Sequence, residues 1–205
     1  MKLIEQSYEI LAFPPDALHL IELAGRTCYQ SEPKGEPGPF VRMIRDRGHH
    51  SVLEHANVTV RITTNRAITH ELVRHRICSF SQESTRYVRY NGDMEFIRPV
   101  WWDTCVSEQK RILFCSACTE SERIYQRLLL NGCRPEEARD VLPNALATRI
   151  VMTANMREWM HVFQLRTSKA AHPQIRELML AIQVDFAERW PAIFDEPEKG
   201  MKEAA

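Results

Sequence analysis

Glycine is scarce in this chain, at 7 of 205 residues. No glycines fall in a G-x-G-x-x-G pattern or a G-x-x-x-x-G-K-[ST] loop, so both common glycine-rich phosphate cradles are excluded. Lysine is scarcer still, with 6 lysines against 21 arginines. An excess of one charge is also missing: 27 basic residues balance 27 acidic ones. That balance argues against a general DNA coat or a polybasic membrane binder. No apolar run approaches the ~18 residues of a membrane span. The segment from Met1 to Phe13 carries Glu5 and Glu9 among its apolar residues, so it does not read as a secretory signal. The expected location is therefore cytoplasmic, with the six scattered cysteines as reduced thiols. Cys115-x-x-Cys118 has no second pair and lies in a helical pattern, which reads as two core residues.

What is present is an ordinary globular composition, 44% hydrophobic and 26% charged. A chain of this length can bury roughly 70% of its unfolded surface without disulfides or a metal. One α+β domain over residues 1–205 is expected. Pro14-Pro15-Asp16 opens a helix to about Tyr29, followed by a loop from Ser31 to Pro39. A short helix then carries Phe40, Met43 and Ile44 and stops at Gly48. Ser51-x-x-Glu54 has capping-box spacing. Asn57 to Thr64 alternates, with Val58, Val60 and Ile62 on one side, as a half-buried strand does.

Asn65 is placed to cap a helix running to about Arg76, with Ala67, Ile68, Leu72 and Val73 inward. A serine-rich loop, Cys78 to Thr85, follows. Tyr87 to Tyr90 and Met94 to Arg98 read as a hairpin around Asn91-Gly92. A long helix spans Ser107 to Leu130, and Pro135 starts another that Pro143 ends. Thr148 to Ala154 reads as a strand, because Asn155-x-x-Glu158 then caps a fresh helix. Pro173 to Trp190 is the last helix, and the tail beyond 191 is expected to fray.

Chemistry concentrates in residues 61–90, where six arginines meet two acids, a local charge of +4. Arg74-His75-Arg76 stands there at an expected helix end, followed by the hydroxyl-rich Ser79 to Thr85. Forked guanidiniums with hydroxyl donors make a nucleotide-phosphate site without glycine. A solvated basic helix end paired with Glu71 and Glu83 fits the same residues, and the pattern alone leaves both readings open. Downstream, Arg139 precedes a group of Asn155, Arg157, His161 and Arg166, in which Arg157 and His161 share a helical face. Trp159 and Phe163 lie toward the other side, as core. Arg166 near a helix C-terminus reads, on the residues alone, first as a favourable dipole partner.

No metal is expected. His50/His55 and His70/His75 are each five apart, which does not place two imidazoles on one helical face, and no H-E-x-x-H occurs. Ser84 as a nucleophile with His49 or His75 as base lacks a G-x-S-x-G elbow. A serine among arginines is more naturally a ligand to phosphate or hydroxyl.

Arg74-His75-Arg76, seven residues and then Ser84 form an R-H-R-x7-S signature, with which the sequence resembles the flavin-dependent thymidylate synthases. Gly48-His49-His50-Ser51-Val52-Leu53-Glu54-His55 is similar to the family's G-H-x-[ST]-x-x-E-H segment. Ser84-Thr85-Arg86-Tyr87 extends the signature in the family manner. Ala138-Arg139 with Leu142-Pro143 matches A-R-x-x-L-P, and Asn155-Met156-Arg157 and Leu165-Arg166 follow in order. The likeness covers roughly residues 40 to 180.

The resemblance implies an α+β fold with a mainly antiparallel sheet flanked by helices. It implies reductive methylation of dUMP to dTMP, with 5,10-methylenetetrahydrofolate as carbon donor and FAD reduced by NADPH, without a covalent enzyme nucleophile. It also implies a cytoplasmic homotetramer with shared sites, and no nucleic acid or membrane as partner. Arg166 would be catalytic, holding the uracil and stabilising charge as it develops. Glu71, Leu72, Val73, Arg74, Gln82, Glu83, Ser84, Thr85, Arg86, Arg139 and Arg166 would line the dUMP site. Ser51, Arg74, His75, Arg76, Gln82, Asn155, Met156, Arg157 and His161 would contact FAD. His49 would lie where folate and nicotinamide arrive.

Four positions depart from the family pattern. Ser81-Gln82 stands where many members have Asn-Glu, His161 where Asn is common, and Ala170 where some have His. The alternative function is a non-catalytic nucleotide or RNA binder that uses the arginine belt.

Overall fold

The computed structural model describes residues 1–195. Six strands and seven helices carry the fold: β1 (Lys2–Ile4), β2 (Ser7–Ala12), β3 (Asn57–Asn65), β4 (Ser79–Gln82), β5 (Glu95–Ile97) and β6 (Ala147–Asn155), with α1 (Ala17–Thr27), α2 (Pro37–Asp46), α3 (Arg66–Leu72), α4 (Glu108–Leu130), α5 (Pro135–Ala138), α6 (Met156–Arg166) and α7 (Pro173–Arg189). An antiparallel sheet has the order β2-β3-β6-β4, and a separate pair joins β1 to β5. The α+β class expected from the sequence is the class found. Short 3-10 turns cover His50–His55 and Arg139–Val141.

The chain divides into two compact units, one made of Met1–Ser7, Ile62–Arg74 and Ser81–Val151, the other of Tyr8–Arg61, His75–Phe80 and the stretch from Met152. In the first, β1 runs parallel to β5 in the register Lys2↔Glu95, Leu3↔Phe96, Ile4↔Ile97. Its core gathers Met94, Phe96, Cys118, Tyr125, Leu129, Ala138 and Leu146. Cys118 is buried and its thiol is pushed up to about 11 by that burial, whereas Cys115 is half-buried and all six cysteines are free thiols.

In the second unit, α6 and α7 bury an aromatic cluster. Trp159 and Phe186 lie 5.0 Å apart by ring centroids, and Phe163 meets Phe186 edge-on at 5.3 Å, the arrangement that ring quadrupoles favour. The Trp159 indole N–H is satisfied by Val58 C=O at 3.2 Å. Gly25 lets α1 and α2 approach closely, since a Cβ there would sit 2.6 Å from Ile44 Cδ1.

Several expectations need correction. The helix after Asn65 ends at Leu72, not Arg76, because the chain turns to bury His75; Ala67 is only half-buried and Val73 is exposed. The serine-rich stretch is partly a strand, β4. No hairpin forms around Asn91-Gly92. The Tyr87 and Val88 amides donate instead to Ser84 C=O at 3.2 and 2.9 Å, and the edge of β5 pairs with β1. The short turn that the Ser51-x-x-Glu54 spacing announces does form, as the 3-10 turn from His50 to His55, but without a side-chain cap. The second helix starts at Pro37, using proline at its first position. Packing continues past 191, since Ala192, Ile193 and Phe194 are buried. The remainder of the expected frayed tail lies outside the described residues.

Candidate active site

Strand β3 runs into α3 through Asn65, whose Oδ1 accepts the Ile68 N–H at 2.9 Å. Strand β6 runs into α6 in the same way, with Asn155 Oδ1 accepting the Glu158 N–H at 2.8 Å. Each asparagine satisfies an orphan donor of a helix's first turn. These two starts, with the segment after α3, position most of the candidate residues.

The dUMP residues other than Arg166 fall in the first unit. Gln82 Nε2 donates to Thr69 Oγ1 at 2.9 Å and to Thr148 Oγ1 at 3.4 Å, so its amide faces two buried hydroxyls. Glu83 receives the Tyr90 hydroxyl at 2.6 Å and Arg149 Nη1 at 3.4 Å, while its own amide donates to Arg149 C=O at 2.9 Å. Its carboxylate is therefore engaged inside the unit. Burial, and then Glu83, raise the Tyr90 phenol above its usual range. Ser84 Oγ accepts the Arg86 N–H at 3.2 Å, closing a turn, and its hydroxyl still carries a proton to donate.

Thr85 is buried, with Oγ1 accepting from Arg139 Nη1 at 3.5 Å. Arg86 is exposed and donates to Glu136 at 2.8 Å. Arg86, and then Arg134, hold the Glu136 carboxyl below the usual carboxylate range. Glu71 is half-buried, its C=O accepting the Arg74 N–H at 3.3 Å; Val73 and Arg74 are exposed. The Leu72 side chain is fully buried, so any contact from this position is through its backbone.

Most of the FAD residues fall in the second unit. Ser51, Arg76, Arg157 and His161 are exposed. Arg157 Nη1 donates to Glu54 at 2.5 Å. The Asn155 side chain is committed to its cap, and the Met156 side chain is fully buried, which leaves its backbone for any contact. His49 and Ser51 line a cavity of about 280 Å³, with Tyr29, Phe40, Met43 and Val52 among its apolar walls. His50 is structural, its Nε2 lying 3.1 Å from Arg45 C=O.

His75 is 5% exposed and receives Arg166 Nε on its own Nε2 at 3.0 Å. Burial, then the neighbouring Arg166 and His161, lower its pKa from 6.5 to about 4. The ring is therefore neutral near pH 7. Its Nδ1 lies 3.7 Å from Glu158 Oε1, and the His161 ring meets it edge-on with centroids 6.0 Å apart.

Ligand atoms of His75, Glu158 and His161 lie within 4.8 Å of one another. This trio differs from the histidine pairs weighed in the sequence. The guanidinium of Arg166 occupies Nε2 of the same imidazole, so only Nδ1, 3.7 Å from Glu158 Oε1, is left to face a metal.

Glu158, Cys78, Tyr90 and Arg149 were not singled out in the sequence as site-building residues. Glu158 carried a signal, its N3 spacing from Asn155. That spacing identified the capped amide and not the inward carboxylate.

Residues 9–192 match the family model described as "Thymidylate synthase complementing protein", Thy1. A flavin-dependent thymidylate synthase of Geobacter sulfurreducens is 40% identical over 179 residues, covering 82% of this chain and 77% of that protein. One from Mycobacterium sp. (strain KMS) is 40% identical over 200 residues, covering 85% and 78%. Among solved structures, a UMP/dUMP methylase PolB from Streptomyces cacaoi bound with 5-Br dUMP superposes with a TM-score of 0.81 at 24% identity, over 100% of this chain and 96% of that one. That likeness concerns the fold. By the family match and the identity to its relatives, the chain belongs to the Thy1 family of flavin-dependent thymidylate synthases.

Proposed function

We propose that this enzyme converts dUMP to dTMP by reductive methylation, with 5,10-methylenetetrahydrofolate as carbon donor and FAD reduced by NADPH. The observation that carries this reading is Arg166, held on the neutral His75 imidazole at 3.0 Å in a chain 40% identical to a flavin-dependent thymidylate synthase. A guanidinium fixed before substrate arrives stabilises charge developing on the pyrimidine ring without reorganising. That stabilisation raises the nucleophilicity of C5. Arg74, Arg86 and Arg139 supply cations for the dUMP phosphate, and Ser84 a hydroxyl donor. Ser84 Oγ is bonded to a backbone amide rather than to a base, in keeping with a ligand and not a nucleophile.

The donors of the second unit suit FAD. Exposed Arg76, Arg157 and His161 and the Ser51 hydroxyl can bind a diphosphate without a glycine loop. The cavity beside His49 and Ser51 offers apolar walls for an aromatic ring. Bound and reduced, FAD supplies the hydride that completes the methyl group. His49, on that cavity, lies on the route for folate and nicotinamide.

The assembly is a homotetramer with shared sites, in keeping with exposed Val106, Ile112, Leu113 and Leu130 on and beside α4. The location is cytoplasmic; among the described residues no helix is long and apolar enough to cross a membrane. Binding of a polynucleotide by the arginine belt is the weaker reading, because the belt lies in a chain whose 27 basic and 27 acidic residues balance.

The purified protein should be yellow and should form dTMP from dUMP, NADPH and methylenetetrahydrofolate. Arg166→Ala should abolish turnover with FAD still bound. A protein that stays colourless after incubation with FAD and forms no dTMP refutes the reading. Light scattering that gives a monomer refutes the assembly.

A further inference from the structure

The Arg166 guanidinium is always a donor, so the His75 Nε2 that receives it at 3.0 Å carries no proton. A neutral imidazole has one proton, which must then be on Nδ1. That nitrogen lies 3.7 Å from Glu158 Oε1. The same carboxylate oxygen takes the Cys78 thiol at 3.9 Å. Burial, and then Glu158, push that thiol up to about 12, so it remains S–H and a donor. Two proton-bearing groups thus face one carboxylate. All of this happens in the interior: Glu158 is 6% exposed and His75 5%.

The carboxylate is itself fixed. Glu158 sits in the first turn of α6, with its amide bonded to Asn155, where the helix dipole favours an acid. Arg166 is the last residue of the same helix. His75, coming from the segment after α3, joins the two ends of α6 through its two ring nitrogens. In a low-dielectric interior, a carboxylate on the Nδ1 side favours the tautomer with its proton there. The opposite tautomer would turn N–H against N–H at Arg166.

We propose that Glu158 is a positioning residue: it selects the Nδ1–H tautomer of His75, and His75 thereby holds the Arg166 guanidinium in its working orientation. This rests on the reading of Arg166 as the group that meets the pyrimidine. The same residues as a metal site are the weaker choice, because His75 Nδ1 then bears a proton and its other nitrogen is occupied by a cation. Neither Glu158 nor Cys78 touches substrate in this scheme. Misplacing a catalytic group by about 1 Å costs on the order of 10²-fold in rate, so a mispositioned guanidinium is costly even where binding survives.

The experiment is nitrogen-15 NMR of the imidazoles in the purified holoenzyme near pH 7.5, with His75→Gln to assign the His75 signals, alongside steady-state kinetics. The wild type should show a protonated Nδ1 and an unprotonated Nε2. Glu158→Gln, which keeps the volume, should give a mixture of tautomers. Glu158→Leu should lower kcat on the order of 10–100-fold, with FAD content unchanged and the dUMP Kd within about threefold. The kcat of Glu158→Gln should lie between them, a graded rescue that a purely structural role would not produce. A proton on Nε2 in the wild type overturns the proposal, as does an unchanged tautomer with kcat within twofold in both variants. If Glu158→Leu does not fold, the tautomer of Glu158→Gln decides alone. A wild type without flavin or turnover would sink the functional reading, while the NMR still decides the Glu158–His75–Arg166 relay.

Discussion

Gln82 Nε2 donates to Thr69 Oγ1 at 2.9 Å, and the Thr69 hydroxyl proton is itself committed to Arg66 C=O at 3.0 Å. The threonine oxygen therefore has only lone pairs to offer, and the partner at 82 must be a donor. An amide, which donates at any pH, therefore suits position 82 of this chain. Gln82→Glu should destabilise by about 1–3 kcal/mol, the cost of an unpaired buried polar group. The new carboxyl can donate only when protonated, so its native pKa would be raised. Stability would then be retained at low pH and lost as pH rises. Urea unfolding should show a larger penalty at pH 8 than at pH 5; equal penalties would contradict the assignment.

Tyr90→Phe tests how the turn from Ser84 to Arg86 is held. The phenol donates to Glu83 at 2.6 Å, next to that turn. Removing it leaves a partly buried carboxylate with Arg149 at 3.4 Å. The expected loss is about 1–2 kcal/mol in urea unfolding. Because the turn carries proposed phosphate ligands, KM for dUMP should rise several-fold while kcat changes little. A lower kcat at unchanged KM would place Tyr90 in a different role.

His75 makes stability depend on pH with a definite sign. Its native pKa is lowered from 6.5 to about 4, so between these values the unfolded chain takes up a proton that the native chain refuses. Its contribution is present above about pH 6.5 and is lost as pH falls toward 4. The loss is at most about 3 kcal/mol. The difference in stability between pH 7.5 and 4.5 should therefore be smaller in His75→Gln than in the wild type. Equal differences would mean that His75 titrates normally.

Elements with strong periodicity were legible in the sequence: Val58, Val60 and Ile62 announced β3, and the pattern before Asn131-Gly132 announced α4. Asn65 and Asn155 mark their helix starts in the sequence, because a cap is a local interaction. The misread parts depended on distant partners. Glu95–Ile97 form a strand against β1 near the start of the chain, which no hairpin rule anticipates. In the candidate site, arginines and histidines stood out by type, and the motif order placed them in a family. Leu72 and Met156 lie within those motifs, yet their side chains are fully buried. The inward carboxylate of Glu158 and the phenol of Tyr90 are not legible in the sequence, because their roles come from burial and from what they face.

Asn155 links cap and chemistry, and it separates two effects. Asn155→Ala removes the acceptor for the Glu158 amide and should cost about 0.5–2 kcal/mol. Asn155→Asp keeps an acceptor oxygen in the same place and adds a charge that the helix N-terminus favours. It should therefore retain most of the stability. Asn65→Ala removes the equivalent cap of α3 and should cost a similar amount, which controls for cap loss by itself. The two alanine variants should differ in kinetics. The first turn of α6 carries Glu158, so loosening it should free His75 and Arg166 and lower kcat more than the Asn65 variant does. Matched unfolding free energies with a selective loss of kcat in Asn155→Ala, restored in Asn155→Asp, is the expected result. Equal kcat in the two alanine variants would show that the cap serves stability alone.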